Sequence, residues 1–134
     1  IKGLRIKVSG CFNSCGQHHV ADIGFYGNSR KVGNRTVPHF QVILGGQWTE
    51  NAKSYGLVVG AVPSKNIPKA VELITAHYLA NREGEESFQA FIARVGKREF
   101  RKVLAPIQKP IPVAAVRRRK PLRLDVWLMI FSLR

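Results

Sequence analysis

The chain predicts an α+β fold: a mostly antiparallel sheet of about four to five strands, followed by helices packed on one of its faces. Three observations carry this prediction. Apolar residues recur with a period of two as far as Pro63 and with helical spacing beyond it. Strands first and helices afterwards is the order of an α+β domain. A length of 134 residues suits one domain with enough chain to bury a core.

The elements follow in order. Leu4, Ile6 and Val8 alternate with Arg5, Lys7 and Ser9, the pattern of a half-buried strand with a basic outer face. It runs straight into Gly10-Cys11-Phe12-Asn13-Ser14-Cys15-Gly16-Gln17-His18-His19. Residues 16–20 have room for about one helical turn, and Ala21 to Tyr26 read as a second strand. The polar, glycine-containing stretch from Gly27 to Arg35 reads as a loop. Phe40, Val42 and Leu44 alternate in a third strand that ends at Gly45-Gly46, and Leu57 to Val62 form a fourth, closed by Pro63.

Ile67, Ala70, Val71, Ile74 and Tyr78 then fall on one face of a helix that should run to about Arg82. Pro68 sits in its first turn, where a missing N–H costs little. Ser87 can cap a second helix whose apolar face is Phe88, Phe91, Ile92 and Val95, with Gly96 as its stop. Phe100, Val103 and Leu104 suggest one more short helix ending before Pro106. Residues 1–105 thus form one domain. Residues 106–134, broken by four prolines and carrying Arg117-Arg118-Arg119-Lys120, read as a divergent, poorly ordered tail.

Composition narrows the function. Two cysteines cannot build a disulfide-rich scaffold, and a disulfide between positions 11 and 15 would close too small a loop to stabilise much. In a reducing compartment such spacing more often marks metal binding or redox chemistry. The chain opens at Ile1 in strand-like sequence, as a fragment would, with no signal-peptide pattern before the cysteine loop. No apolar run approaches the roughly 20 residues that span a bilayer, so the expected setting is cytoplasmic, with no membrane partner. The net charge is +14, and residues 109–134 hold seven basic side chains against one acidic. Such a balance suits an anionic partner: an acidic protein, a polycarboxylate cofactor or nucleic acid. Against nucleic acid, no strand face interleaves aromatic residues with Lys and Arg as a stacking platform would.

The cysteine loop carries the chemistry. Thiolates are the usual ligands of iron–sulfur centres, and Gly10 and Gly16 let the backbone turn sharply beside a bulky inorganic core. If a helix begins near Ser14, its N-terminal dipole favours thiolate at Cys15. Asn13 can close the turn on itself or donate to a cluster sulfide. By spacing alone, two buried cysteines, a reactive thiol pair and a zinc half-site remain open. In the last, Cys11, Cys15 and either His18 or His19 would give three of four tetrahedral ligands.

The stretch Cys11-Phe12-Asn13-Ser14-Cys15-Gly16-Gln17, then Ala21-Asp22-Ile23-Gly24-Phe25, resembles the sirohaem-containing nitrite and sulfite reductases. The strand ending in Leu44-Gly45-Gly46, and Gly84-Glu85-Glu86-Ser87-Phe88 followed by Phe91 and Arg94, are similar too and come in the family's order. The resemblance implies the sirohaem-domain type of fold and a part of an assimilatory-type, ferredoxin-type reductase. Such an oxidoreductase carries sirohaem and a [4Fe–4S] cluster for six-electron reduction of nitrite to ammonia or sulfite to sulfide. It implies that Cys11, Asn13, Cys15 and Gly16 lie at the cofactors, that Cys11 and Cys15 ligate the cluster, and that Cys15 also bridges to the sirohaem iron. It further implies a ferredoxin or flavoprotein electron donor. Arg5, Lys7, Arg30, Lys31 and Arg35 would then face sirohaem carboxylates or an acidic donor. Phe12 stands where proline is commonest in the family. The other cysteine pair and the substrate-gripping Arg and Lys residues are not in this chain, so the resemblance implies that the fragment alone is inactive. A zinc-binding or nucleic-acid-binding basic module, or an inactive remnant, is the alternative.

Overall fold

The computed structural model describes residues 3–49 and 53–110. Strand β1 (Ile6–Ser9) is followed by a single 3-10 turn at His18–Val20, then by β2 (Ile23–Val32), β3 (Arg35–Leu44) and β4 (Leu57–Pro63). Helix α1 (Ile67–Asn81) and helix α2 (Phe88–Leu104) complete the fold, with short 3-10 turns at Ser64–Asn66 and Ala105–Ile107. The four strands lie in the order β1-β2-β3-β4, so the expected mixed class and the strands-then-helices order hold.

Pairing is antiparallel between β2 and β3 and between β3 and β4, but β1 runs parallel to β2. Parallel neighbours need a long return connection, and residues 10–22, which hold both cysteines, are that connection.

The stretch expected as a loop over 27–35 is mostly strand. β2 and β3 stay paired from Ile23↔Leu44 to Val32↔Arg35, leaving only Gly33 and Asn34 to turn. Gly33 has φ 59, which a two-residue hairpin turn accommodates. The side chains there point into water on both faces, so composition reads as loop while the backbone ladder is complete. Pro38 is tolerated because β4 joins β3 only from His39 onward.

The core lies between the sheet and the two helices. Ile23, Phe25, Val42 and Leu44 from the sheet meet Ile74, Phe91 and Phe100, all fully buried. Aromatic rings carry much of this packing: Phe91 meets Tyr78, Phe100 and His77 at centroid separations of 5.3, 6.0 and 5.8 Å. The expected half-burial of β1 does not hold. Ile6 and Val8 register with Ile23 and Phe25, yet they are 46% and 53% exposed, because the helices do not extend over this edge strand. Ser9, read as outward-facing, is instead buried.

The helical expectations are close. Ser87 caps α2, its hydroxyl accepting the Ala90 N–H at 3.2 Å. Gly96 breaks α2 with φ 76 and ψ 168, and helix resumes to Leu104, so the expected stop and the short helix after it are both present, as two segments joined at a kink. Arg94 ties α2 to the end of α1, donating to both Glu86 carboxylate oxygens and to the Asn81 carbonyl. That contact holds the Glu86 carboxyl below its usual pKa. The greater part of the Pro/Arg-rich tail, residues 111–134, lies outside the described residues. No described helix is long and apolar enough to cross a membrane.

Phe91→Ala should cost about 3–5 kcal/mol of stability, the usual range for deleting a fully buried aromatic ring. Phe12→Ala, at a side chain 76% exposed, should change stability by less than about 0.5 kcal/mol. Urea unfolding midpoints of the two variants check the contrast.

Candidate functional site

The cysteine connection leaves the end of β1, travels back along the sheet and re-enters at Ile23. It returns over the sheet face turned away from the helices. Ile23 and Phe25 point into the core, so Gly24 and Tyr26 face the other way. A Cβ on Gly24 would overlap the His18 carbonyl, and one on Gly27 would overlap that of Gly10. Gly24 lets the loop lie directly on the β2 backbone, and Gly27 makes room for Gly10 where the chain leaves β1. Gly46 does the same beneath the 3-10 turn, with the His19 and Ala21 carbonyls 2.6 and 2.7 Å from where its Cβ would be.

Within the loop, Gln17 donates its N–H to the Ser14 carbonyl at 2.7 Å, closing a tight turn with Cys15 and Gly16 at its centre. Ser14 and Gln17, on either side, have φ of 60 and 56, in the left-handed region that residues with a Cβ seldom adopt. Each such residue costs of order 1–3 kcal/mol and persists only where surrounding contacts enforce it. Those contacts are two serine–histidine pairs. Ser14 Oγ is bonded to His19 Nδ1. Ser9 Oγ lies 2.8 Å from His18 Nδ1 and accepts the Gly16 N–H at 3.1 Å. The helix expected near Ser14 is absent: the turn at His18–Val20 is a single 3-10 turn that starts after the cysteines. No helix dipole therefore acts on Cys15.

Cys11, Asn13 and Cys15 are all exposed, and Gly16 is partly covered. Gly16 is pressed on β1, since a Cβ there would be 2.5 Å from the Val8 carbonyl. The two histidine rings are 5.7 Å apart and nearly perpendicular. His18 packs on Tyr26 and His19 on Tyr55. No group of three or more His, Cys, Asp or Glu able to hold a metal occurs among the described residues, so the zinc set of Cys11, Cys15 and one histidine is not assembled there.

The basic residues read as cofactor- or donor-facing are dispersed. Arg30, Lys31 and Arg35 lie at the far end of the β2–β3 hairpin, and Lys7 is exposed on the edge strand. The Arg5 guanidinium carbon sits over the Trp48 ring, 3.2 Å from its centroid. It borders a cleft of about 440 Å³ shared with Asp22, Arg82 and Gln89. Asp22 is a buried brace: it accepts the Arg5 backbone N–H at 2.7 Å and the Gln89 side-chain amide, tying β1 and α2 to the start of β2. Sequence reasoning gave no role to Ser9, Tyr55 or Trp48. Alternation even placed Ser9 outward, and no sequence signal marks a strand's outer face as roofed by its own connection.

Residues 3–110 match the family described as the nitrite and sulphite reductase 4Fe-4S domain. The chain belongs to that family. Within it, the chloroplastic ferredoxin–nitrite reductase of Betula pendula is 39% identical over 87 residues, 63% of this chain and 15% of that protein. The ferredoxin sulfite reductase 1 of Mycolicibacterium paratuberculosis is 35% identical over 101 residues, 73% of this chain and 18% of that protein. The solved structure of Mycobacterium tuberculosis NirA superposes with a TM-score of 0.66 at 28% identity, covering 73% of this chain and 18% of that one. The chain thus spans less than a fifth of the length of these three proteins. The four-stranded sheet followed by two helices is this family's fold in α+β form.

Burial, and secondarily the neighbouring His19, lower the pKa of His18. The unfolded chain therefore binds a proton at His18 more readily than the folded one, and folding stability falls as pH drops. The loss should begin near the ordinary histidine value of about 6.5 and be complete once pH passes below the lowered value. Urea midpoints measured from pH 7.5 downward check this, with His18→Gln flattening that part of the profile.

Proposed function

We propose that this chain forms part of the sirohaem and [4Fe–4S] centre of a nitrite or sulfite reductase, with residues 1–105 as its cofactor domain. The observation that carries the reading is the loop itself. Two exposed thiols four positions apart stand on a strained, glycine-cushioned turn inside a segment that matches a 4Fe-4S domain family. A [4Fe–4S] cluster takes four thiolates, and the chain has two cysteines. The residues present thus fit one side of such a cluster. Cys11 and Cys15 are its ligands here, and Cys15 is the one shared with the sirohaem iron. Asn13 and Gly16 line the same surface, and two further thiolates come from other polypeptide.

When bound, the cofactors supply one-electron transfer and the six-electron reduction of nitrite or sulfite; this chain contributes ligation, close backbone approach and positive charge. A ferredoxin or flavoprotein supplies the electrons, in line with the ferredoxin named for the relatives. The setting is a reducing compartment, the cytoplasm by the sequence reading or a chloroplast as named for the birch protein. The fragment alone is inactive for lack of the remaining ligands and substrate-binding residues.

Anaerobic mixing of the 134-residue chain with a preformed thiolate-ligated [4Fe–4S] cluster tests ligation, because the protein thiols can exchange for two of the small-molecule ones. The chain should take up iron and sulfide in a 1:1 ratio. Cys11→Ser and Cys15→Ser should each weaken uptake by more than about a hundredfold, beyond the roughly tenfold to hundredfold that loss of an outer partner usually costs. Added sirohaem should then show bands altered by the cluster in the parent and not in Cys15→Ser. Uptake that survives both substitutions would overturn the ligand assignment; sirohaem bands altered by the cluster in Cys15→Ser as they are in the parent would overturn the bridge.

A further inference from the structure

We infer that Ser9 is a positioning residue for Cys15, acting with His18 through the Gly16 amide. The inference rests on the reading of Cys15 as a cofactor ligand but starts from an independent geometry. The Gly16 nitrogen is bonded to the Cys15 carbonyl carbon, so whatever fixes that N–H fixes the Cys15 backbone. Ser9 Oγ accepts this N–H at 3.1 Å. The hydroxyl is itself held, 2.8 Å from His18 Nδ1. Ser9 and His18 are respectively 5% and 3% exposed, while both cysteines between them in sequence are exposed. A buried polar pair thus ends on an exposed thiol-bearing turn.

The surroundings leave this chain of contacts little freedom. The His18 ring packs on Tyr26 at a centroid distance of 4.9 Å, and Tyr26 is the register partner of Ser9 across β1 and β2. The His18 carbonyl rests on Gly24. Position 16 must be glycine because a side chain there would strike the Val8 carbonyl and Ser9 Oγ, at 2.5 and 2.9 Å from its Cβ. Ser9 therefore does two jobs that no apolar residue can do together. It satisfies an amide at the centre of the Cys15 turn, and it links that turn to the rigid β2 strand through His18. The Gly16 amide is consequently committed to Ser9 and is not available to hydrogen-bond a cluster sulfur. The positioning acts on the Cys15 backbone. Metal ligands commonly depend on outer partners of this kind for orientation.

Ser9→Ala removes the hydroxyl with little change of shape, and Ser9→Thr keeps it. In the full metal-free chain, Ser9→Ala should speed hydrogen exchange of the Gly16 amide roughly threefold to tenfold, the effect of losing one ordinary hydrogen bond. It should also shift the Cys15 Cα and Cβ resonances while leaving those of Cys11 in place, and Ser9→Thr should resemble the parent in both. In chains loaded from the preformed cluster, chelator-driven iron release should be faster in Ser9→Ala by about tenfold, as for other outer-partner losses. Unchanged Gly16 exchange and Cys15 shifts in a folded Ser9→Ala chain would overturn the inference, as would equal iron release from parent and variant. If the parent takes up no cluster while Gly16 exchange still responds to Ser9→Ala, the ligand reading fails and the positioning of the Cys15 turn stands.

Discussion

The parallel pairing of β1 with β2 is the constraint on which the rest of this structure depends. Two antiparallel strands can be joined by a couple of residues, but two parallel ones oblige the chain to travel back the length of the strand. Here the return is made by residues 10–22, and the cysteines lie on it. The return must lie against the sheet, since β1 is a short edge strand with one partner among the described residues. Gly24, Gly27 and Gly46 exist as glycines for that reason: each lies under a backbone carbonyl of the return segment or of the residues just after it. The loop is thus a second layer, opposite the helices, laid where Gly24 offers bare backbone and Tyr26 packs on His18.

Close contact with the sheet restrains the loop but does not shape it. Ser14 and Gln17 remain in left-handed conformations that cost energy. The serine–histidine pairs and the Ser14–Gln17 hydrogen bond offset that cost. Burial keeps His18 uncharged near neutral pH, which matters because an imidazolium enclosed beside Tyr26 would need a counter-charge, and none touches it among the described residues. Packing, backbone strain and the burial of His18 thus meet within about ten residues.

Much of this was legible in the sequence, and the failures have common causes. The core strands 21–26, 40–44 and 57–62 and both helices were readable because their apolar periodicity reflects burial on one face. The hairpin arms between Gly27 and Arg35 were missed because their residues are polar on both faces, while pairing of backbone groups leaves no trace in composition. Ser9 lies on the face away from the helices, where alternation places it, but that face is covered, whereas Ile6 and Val8 lie on the helix side and are exposed. Alternation tells which residues share a face but not which face is covered, and here the covering is a loop, which has no periodicity to read. The cysteines were found at once, as chemistry-bearing types at suggestive spacing. Their anchors were not, because a hydrogen bond from Ser9 to a residue seven positions on depends on the crossover path.

The exposure of the site follows from the same architecture. Free cysteine is among the residue types most often buried, yet both thiols here face outward. So do Phe12 in the loop at 76% and Tyr55 against His19 at 70%. Singly exposed apolar side chains need no explanation, but a concentration around one strained turn marks a surface that meets something else. The core on the opposite side of the sheet is closed and well packed, with Phe25, Phe91 and Phe100 fully buried, so poor folding does not account for it. A loop held rigid by buried contacts while presenting thiols and aromatic rings to the outside has the form of one wall of a site. Hydrogen bonds on the inner side hold the turn that bears Cys15, while the thiols themselves stay exposed.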